Sequence, residues 1–131
     1  MIGLDTNILV RYLMQDDRVQ SPRATAFIEQ RLGEAEPGFV SVVAMAETAR
    51  VLERSYGLSA AEIAAAIERT LQIDRLQVKQ EREVFTAMVA LREGSGSFAD
   101  ALIGELGRRA GCSGTVTFDR EALRLPGFES L

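Results

Sequence analysis

The chain has no histidine at all, a single cysteine at Cys112 and a single lysine at Lys79 among its 131 residues. Each shortage closes off some chemistry. Without imidazole, the commonest proton carrier at neutral pH is missing, so any acid–base work falls to carboxylates and water. A lone cysteine can form no internal disulfide. The opening Met1-Ile2-Gly3-Leu4-Asp5 lacks the basic start and long apolar core of a secretory signal, so a reducing cytoplasm is the expected location. No apolar run approaches the ~20 residues needed to span a bilayer, and no membrane partner is expected. Linkers and repeats are also absent, since Gly94-Ser95-Gly96-Ser97 reads as a short loop and Glu36-Pro37-Gly38 as a turn. One domain over residues 1–131 is expected, and 47% hydrophobic against 26% charged residues is enough for a real core.

The net charge of −4 argues at first against a polyanionic partner. Its distribution weakens that argument. Four carboxylates, Asp5, Glu47, Asp100 and Asp119, each adjoin an apolar segment expected to be core, and setting them aside takes the formal charge from −4 to zero. A buried carboxylate is costly unless hydrogen-bonded, paired or metal-bound, so four of them meeting in one place would call for a cation. Bound divalent ions would cancel much of their charge, leaving RNA or DNA open as partners. The basic residues are fourteen arginines beside Lys79. Guanidinium forks suit phosphates and base edges, although genomic bias explains the count itself.

Periodicity supplies the frame. Met1 to Leu4 reads as a short buried strand, and Ile8, Leu9, Tyr12 and Leu13 then take up helical spacing, so strand becomes helix at Asp5. Ser21 followed by Pro22 reads as an N-cap and first-turn proline for a second helix with its apolar stripe at Ala24, Phe27, Ile28 and Leu32. A strand follows at Gly38 to Ser41, then a helix from Val42 to about Ser55, ended by Gly57. Ser59 and Glu62 form a capping box for the next helix, whose core face is Ile63, Ile67 and Leu71. Leu76-Gln77-Val78 is a short strand, and Val84, Phe85, Met88 and Leu91 mark a helix stopping at Gly94. Ser97 opens a helix from Phe98 to Ala110. Thr115 to Phe118 is a further strand, with a short edge strand near Phe128 to Ser130. Strands alternating with helices imply an α/β fold, a central parallel sheet of four to five short strands flanked by helices.

Such sheets place active sites outside the carboxyl ends of their strands. Asp5 and Asp119 leave two strands, Glu47 lies on the second turn of a helix that follows a strand, and Asp100 is on the first turn of another helix. All four can reach one edge. Each also has an ordinary structural reading. Asp5 suits the N-cap of the helix at Thr6. Glu47 lies on a wheel with Arg50 and Arg54, the pattern of a solvated face with an i,i+3 ion pair. Asp100, three residues after Ser97, has capping-box spacing. Asp119 suits the start of a turn or the cap of a short helix from Arg120. Gly104 and Gly107 continue the Asp100 face at about 1 kcal/mol each relative to alanine. A strand backbone, a partner subunit or a nucleic acid strand would each explain so open a face.

The order and context of the acids go further than any one of them. Ile2-Gly3-Leu4-Asp5-Thr6-Asn7-Ile8-Leu9, Ser41-Val42-Val43-Ala44-Met45-Ala46-Glu47, Phe98-Ala99-Asp100-Ala101-Leu102-Ile103 and Thr117-Phe118-Asp119 together closely resemble the PIN-domain family, specifically its small VapC-type toxin ribonucleases, over essentially the whole chain. The resemblance implies a PIN-like nuclease domain with Asp5, Glu47, Asp100 and Asp119 gathered around magnesium or manganese. Thr6, Asn7 and Thr117 stand where such proteins support the carboxylates. It also implies a toxin–antitoxin pair, in which a cognate antitoxin masks the site, a homodimeric toxin, and a structured RNA substrate such as tRNA or rRNA.

Chemistry agrees with this resemblance. Lacking histidine, the chain is ill-equipped for a metal-free ribonuclease that uses the 2′-hydroxyl as nucleophile. A carboxylate-held cation instead favours hydrolysis by an activated water, leaving a 5′-phosphate and a 3′-hydroxyl. Arg11, Arg50 and Arg54, near the motif residues, are candidates for holding substrate phosphates, against ordinary surface charge. Two other readings compete. A magnesium-dependent phosphotransfer domain would have paired acids after its first strand and a lysine at a late strand end, whereas Asp5 is followed by Thr6-Asn7. A non-catalytic PIN-like binding scaffold would have no need of acids at all four positions.

Overall fold

Six helices and five short strands alternate along the computed structural model, which describes all 131 residues. Strand β1 (Ile2–Gly3) leads into helix α1 (Thr6–Met14), and α2 (Gln20–Ala26) follows. Strand β2 (Gly38–Val40), helices α3 (Val42–Arg54) and α4 (Ala60–Leu71), strand β3 (Leu76–Val78) and helix α5 (Glu81–Arg92) make the middle of the chain. Helix α6 (Phe98–Arg109), strand β4 (Thr115–Thr117), a 3₁₀ turn (Ala122–Arg124) and strand β5 (Phe128–Ser130) complete it. No helix is long and apolar enough to cross a membrane.

Every strand pair is parallel, but the strands hydrogen-bond as two sheets rather than one. The first has the order β1-β2-β3, with Ile2 opposite Gly38 and Gly38 opposite Leu76. The second pairs β4 with β5, Thr115 opposite Phe128. Period and composition identify a strand from its own residues, whereas the choice of neighbour depends on helices packed many residues away, so the division was not visible in the sequence. Gly38 holds the middle of the first sheet. A Cβ there would stand 2.7–2.8 Å from side-chain carbons of Leu4, Leu32 and Leu76, so any larger residue would force three core leucines apart.

Helices cover the sheet through one core cluster of 22 buried residues, in which Leu9, Ile28, Met45, Leu52, Ile67 and Met88 are fully enclosed. Local signals place three of the helix starts. The side chains of Ser41, Ser59 and Ser97 accept from the amides of Ala44, Glu62 and Asp100, and Glu62 returns the bond to the Ser59 amide at 2.9 Å, completing the capping box. Helix α3 packs against both α1 and α6, which puts it between the segments that carry Asp5 and Asp100.

The start of α2 differs from the sequence expectation. Ser21 is not its N-cap. Asp17 accepts from the amides of Val19 and Gln20 at 3.0 and 2.6 Å, so the chain turns earlier, and the Ser21 hydroxyl, buried, accepts from the Asp17 amide. Pro22 remains within the first turn, where its missing N–H costs nothing. Beyond Ala26 the helix widens into a π segment, Phe27–Arg31.

Candidate active site

Asp5 leaves the carboxyl end of β1 and occupies the N-cap position of α1, with extended backbone (φ −79°, ψ 157°). Its Oδ1 accepts from the adjacent Thr6 amide at 2.7 Å. The three serine caps instead reach an amide three residues ahead. Asp5 is thus placed as a cap while its second carboxylate oxygen takes no donor from the protein.

Glu47 projects from the second turn of α3 with 49% of its side chain exposed and meets Arg50 at 3.6 Å, one turn on. That ion pair is the solvated-face arrangement expected from the wheel. Glu47 also borders two clefts. One, of ≈530 Å³, is lined by Asp5, Thr6, Asn7, Arg11, Glu47 and Tyr56, among others. The other, of ≈360 Å³, brings Glu47, Arg50 and Arg54 beside Ser97, Phe98 and Ala99 at the start of α6.

Asp100 is the third residue of α6 and is half-buried. Its amide donates to Ser97 Oγ at 3.1 Å, but its carboxylate does not return to the Ser97 amide as Glu62 does for Ser59. The capping role is only half taken up, and the carboxylate is left free. Asp119, by contrast, is used locally: its amide donates to Thr117 Oγ1 at 2.9 Å and its Oδ1 accepts from the Glu121 amide at 2.9 Å. It starts the turn after β4 and lines neither cleft.

Two expectations about the acids change. They are not buried: Asp5, Glu47 and Asp119 are exposed and Asp100 is half-buried, because each sits at a helix entrance, on the outer side of a helix or in a turn. Nor do they all converge, since no three acidic or thiol side chains stand close enough to enclose an ion directly. Asp5 and Glu47 share a cleft, and the segment just before Asp100 shares the next one with Glu47.

The three arginines differ in availability. Arg11 Nε donates to Gln20 at 2.8 Å and its Nη1 donates to the Tyr56 hydroxyl at 3.1 Å, with Asp16 and Asp17 at 3.6 and 3.9 Å. Arg50 faces Glu47, and Arg54 is exposed with no ion-pair partner. Tyr56, which sequence reasoning missed, also lines the first cleft. Its phenol is held above the usual tyrosine range, chiefly by burial and then by the hydrogen bond and charge of Asp16, so it stays a neutral donor at physiological pH. Only its place next to the helix-ending Gly57 hinted at it.

The donors suit a hard cation. They are carboxylate oxygens without imidazole, and the lone thiol, Cys112, is exposed on the loop beyond α6. Magnesium is commonly held by one or two carboxylates with several waters, and Asp5 and Glu47, which line one cleft, are donors of that kind. Residues 2–127 match the family model described as PIN domain. The chain belongs to the PIN-domain family, whose members are typically nucleases and generally use divalent metal ions. No curated protein is similar enough to count as a relative.

Proposed function

We propose that the protein is a metal-dependent endoribonuclease, the VapC-type toxin of a type II toxin–antitoxin pair, hydrolysing phosphodiester bonds in structured RNA such as tRNA or rRNA. The observation that carries this reading is the cleft shared by Asp5 and Glu47 at the carboxyl end of the parallel sheet, with an unengaged Asp100 carboxylate on the helix packed beside it.

Asp5, Glu47 and Asp100 would hold magnesium or manganese, with Asp119 completing the set. When bound, the cation supplies Lewis acidity, lowering the pKa of water and stabilising the leaving oxygen, so that products carry a 5′-phosphate and a 3′-hydroxyl. The chain's own groups orient and position. Thr6 holds one Asp5 oxygen through its amide, Thr117 fixes the Asp119 backbone through its hydroxyl, and Asn7 offers an amide at the cleft rim. Arg54 is free to meet a phosphate, Arg50 can exchange Glu47 for one, and Arg11 retains unused donors. A cognate antitoxin would mask this cleft, and a homodimer is the proposed assembly. Gly104 lends that dimer no support, because its open face is filled from within the chain.

The test is cleavage of total RNA by purified protein in magnesium or manganese against EDTA, with end groups mapped, beside Asp5→Asn and Asp100→Asn. Cuts bearing 5′-phosphates, lost in EDTA and in both variants, are expected; a 2′,3′-cyclic phosphate end product would sink the mechanism. One observation favours a second reading, the non-catalytic scaffold: no three carboxylates stand together as placed. Under that reading folded protein cuts nothing and divalent ions leave its melting temperature unmoved. Under the nuclease reading a cation at 100 times its Kd adds about 2.7 kcal/mol of stability.

A further inference from the structure

A groove between α1 and α2 adjoins the acidic cleft and carries the opposite charge. It encloses ≈440 Å³, and its walls include Asn7, Arg11, Gln20, Arg23 and Phe27 but no carboxylate. Asn7 and Arg11 line both this groove and the Asp5–Glu47 cleft, so the two form one continuous surface. In a chain of net charge −4, two guanidiniums in a carboxylate-free groove mark a local site for an anion.

The lining residues offer different contacts. Arg23, on α2, is exposed and enters no ion pair or side-chain hydrogen bond. Arg11 is held in place: Gln20 and Tyr56 take two of its five N–H donors, and Asp16 and Asp17, at 3.6 and 3.9 Å, lie beyond hydrogen-bond length. Those acids temper its charge but leave three donors open. Phe27, at the start of the π segment, is half-buried against the core and presents the rest of its ring to the groove. An arginine pair beside an aromatic face is the combination that holds single-stranded nucleic acid, through phosphate contacts and base stacking. A duplex keeps its base faces covered and has none to offer Phe27.

We infer that this groove is a nucleotide subsite for unpaired RNA flanking the bond to be cut, with Arg23 and Arg11 on the phosphate and Phe27 against the base. The inference rests on the nuclease reading for its substrate. It adds Arg23 and Phe27 to the footprint, neither of which stood out in the sequence among fourteen arginines and an apolar stripe.

Binding of a short single-stranded oligouridylate in calcium, titrated across salt concentrations, tests it. Arg23→Ala is expected to raise Kd about fivefold and to reduce the salt slope by about 0.7, the share of one single-strand phosphate. Phe27→Leu, which keeps most of the core volume, is expected to raise Kd about tenfold with the slope unchanged. Arg75→Ala, before β3 at the opposite end of the sheet, should alter neither. An Arg23→Ala variant with wild-type Kd and slope overturns the subsite, as does wild-type protein that binds no single strand. If that happens while metal-dependent cleavage is still lost in Asp5→Asn, the nuclease stands without the subsite. A reduced slope in Arg23→Ala, with no cleavage by wild type, would keep the subsite and sink the nuclease.

Discussion

Two acids three residues after a serine cap show how similar spacing serves different ends. Glu62 returns a hydrogen bond to Ser59 at 2.9 Å, and that amide bond, with the Ser59 hydroxyl, holds its carboxyl below the ordinary 4.5. Asp100 takes the amide-to-serine half of the pattern and leaves its carboxylate unpaired. Removing the carboxylate charge should therefore separate stability from activity. Asp100→Asn is expected to shift unfolding by less than about 0.5 kcal/mol, as at an uninvolved surface position, while abolishing metal-dependent cleavage. Ser97→Ala should instead cost about 1 kcal/mol by uncapping α6. A urea titration of each variant beside its cleavage rate checks this; Asp100→Asn destabilised like Ser97→Ala would make Asp100 a structural residue.

Helix α6 carries two glycines on one face, and their surroundings differ. A Cβ on Gly104 would meet the Phe128 ring at 2.7 Å, whereas one on Gly107 finds its nearest neighbour, the Thr115 hydroxyl, at 3.6 Å. Where the sequence left a strand backbone, a partner subunit or a nucleic acid strand open, the space at Gly104 is filled by a strand's side chain: β5 lays Phe128 against Gly104. Alanine should act with opposite signs at the two sites. Gly107→Ala gains most of the roughly 1 kcal/mol of helix propensity. Gly104→Ala forfeits that gain and more, for a net loss of about 1 kcal/mol, because overpacking costs about 1–3 kcal/mol. Thermal unfolding of both variants measures the contrast, and stabilisation at both positions would place Phe128 elsewhere.

Over the whole molecule, acid stability depends on surface carboxylates held by local donors. Asp17 is kept below its ordinary 3.8 first by the Gln20 amide and then by that of Val19; Glu36 is kept below 4.5 by the hydrogen bond and charge of Arg31. Glu62 behaves likewise. A carboxylate with a lowered folded pKa binds fewer protons folded than unfolded, so its contribution is complete above its ordinary value and disappears as pH falls through the depressed one. With no histidine to titrate, stability should stay level from pH 7 to about 5 and decline below about 4.5. Asp17→Asn and Glu62→Gln should each make that decline shallower. Urea midpoints across the acid range test this, and an equal decline in both variants would assign it to other groups.

How much of this was legible beforehand follows the range of the interactions involved. Helix limits, the Ser59–Glu62 box, the Glu47–Arg50 pair and the cap position of Asp5 depend on residues within about four of each other, where rotation per residue and side-chain reach decide the outcome. They could be read from the sequence, as could the parallel α/β class and the resemblance to PIN domains. The Ser21 cap shows where such reading fails, since a better-placed carboxylate at Asp17 captured the amides first. Other features depend on residues distant in sequence: the division into two sheets, Phe128 against Gly104, Tyr56 holding Arg11 across 45 positions, and the basic groove built by two separate helices. Only packing brings such groups together, so it was tertiary structure that left the four acids at the surface and Arg23 beside the cleft.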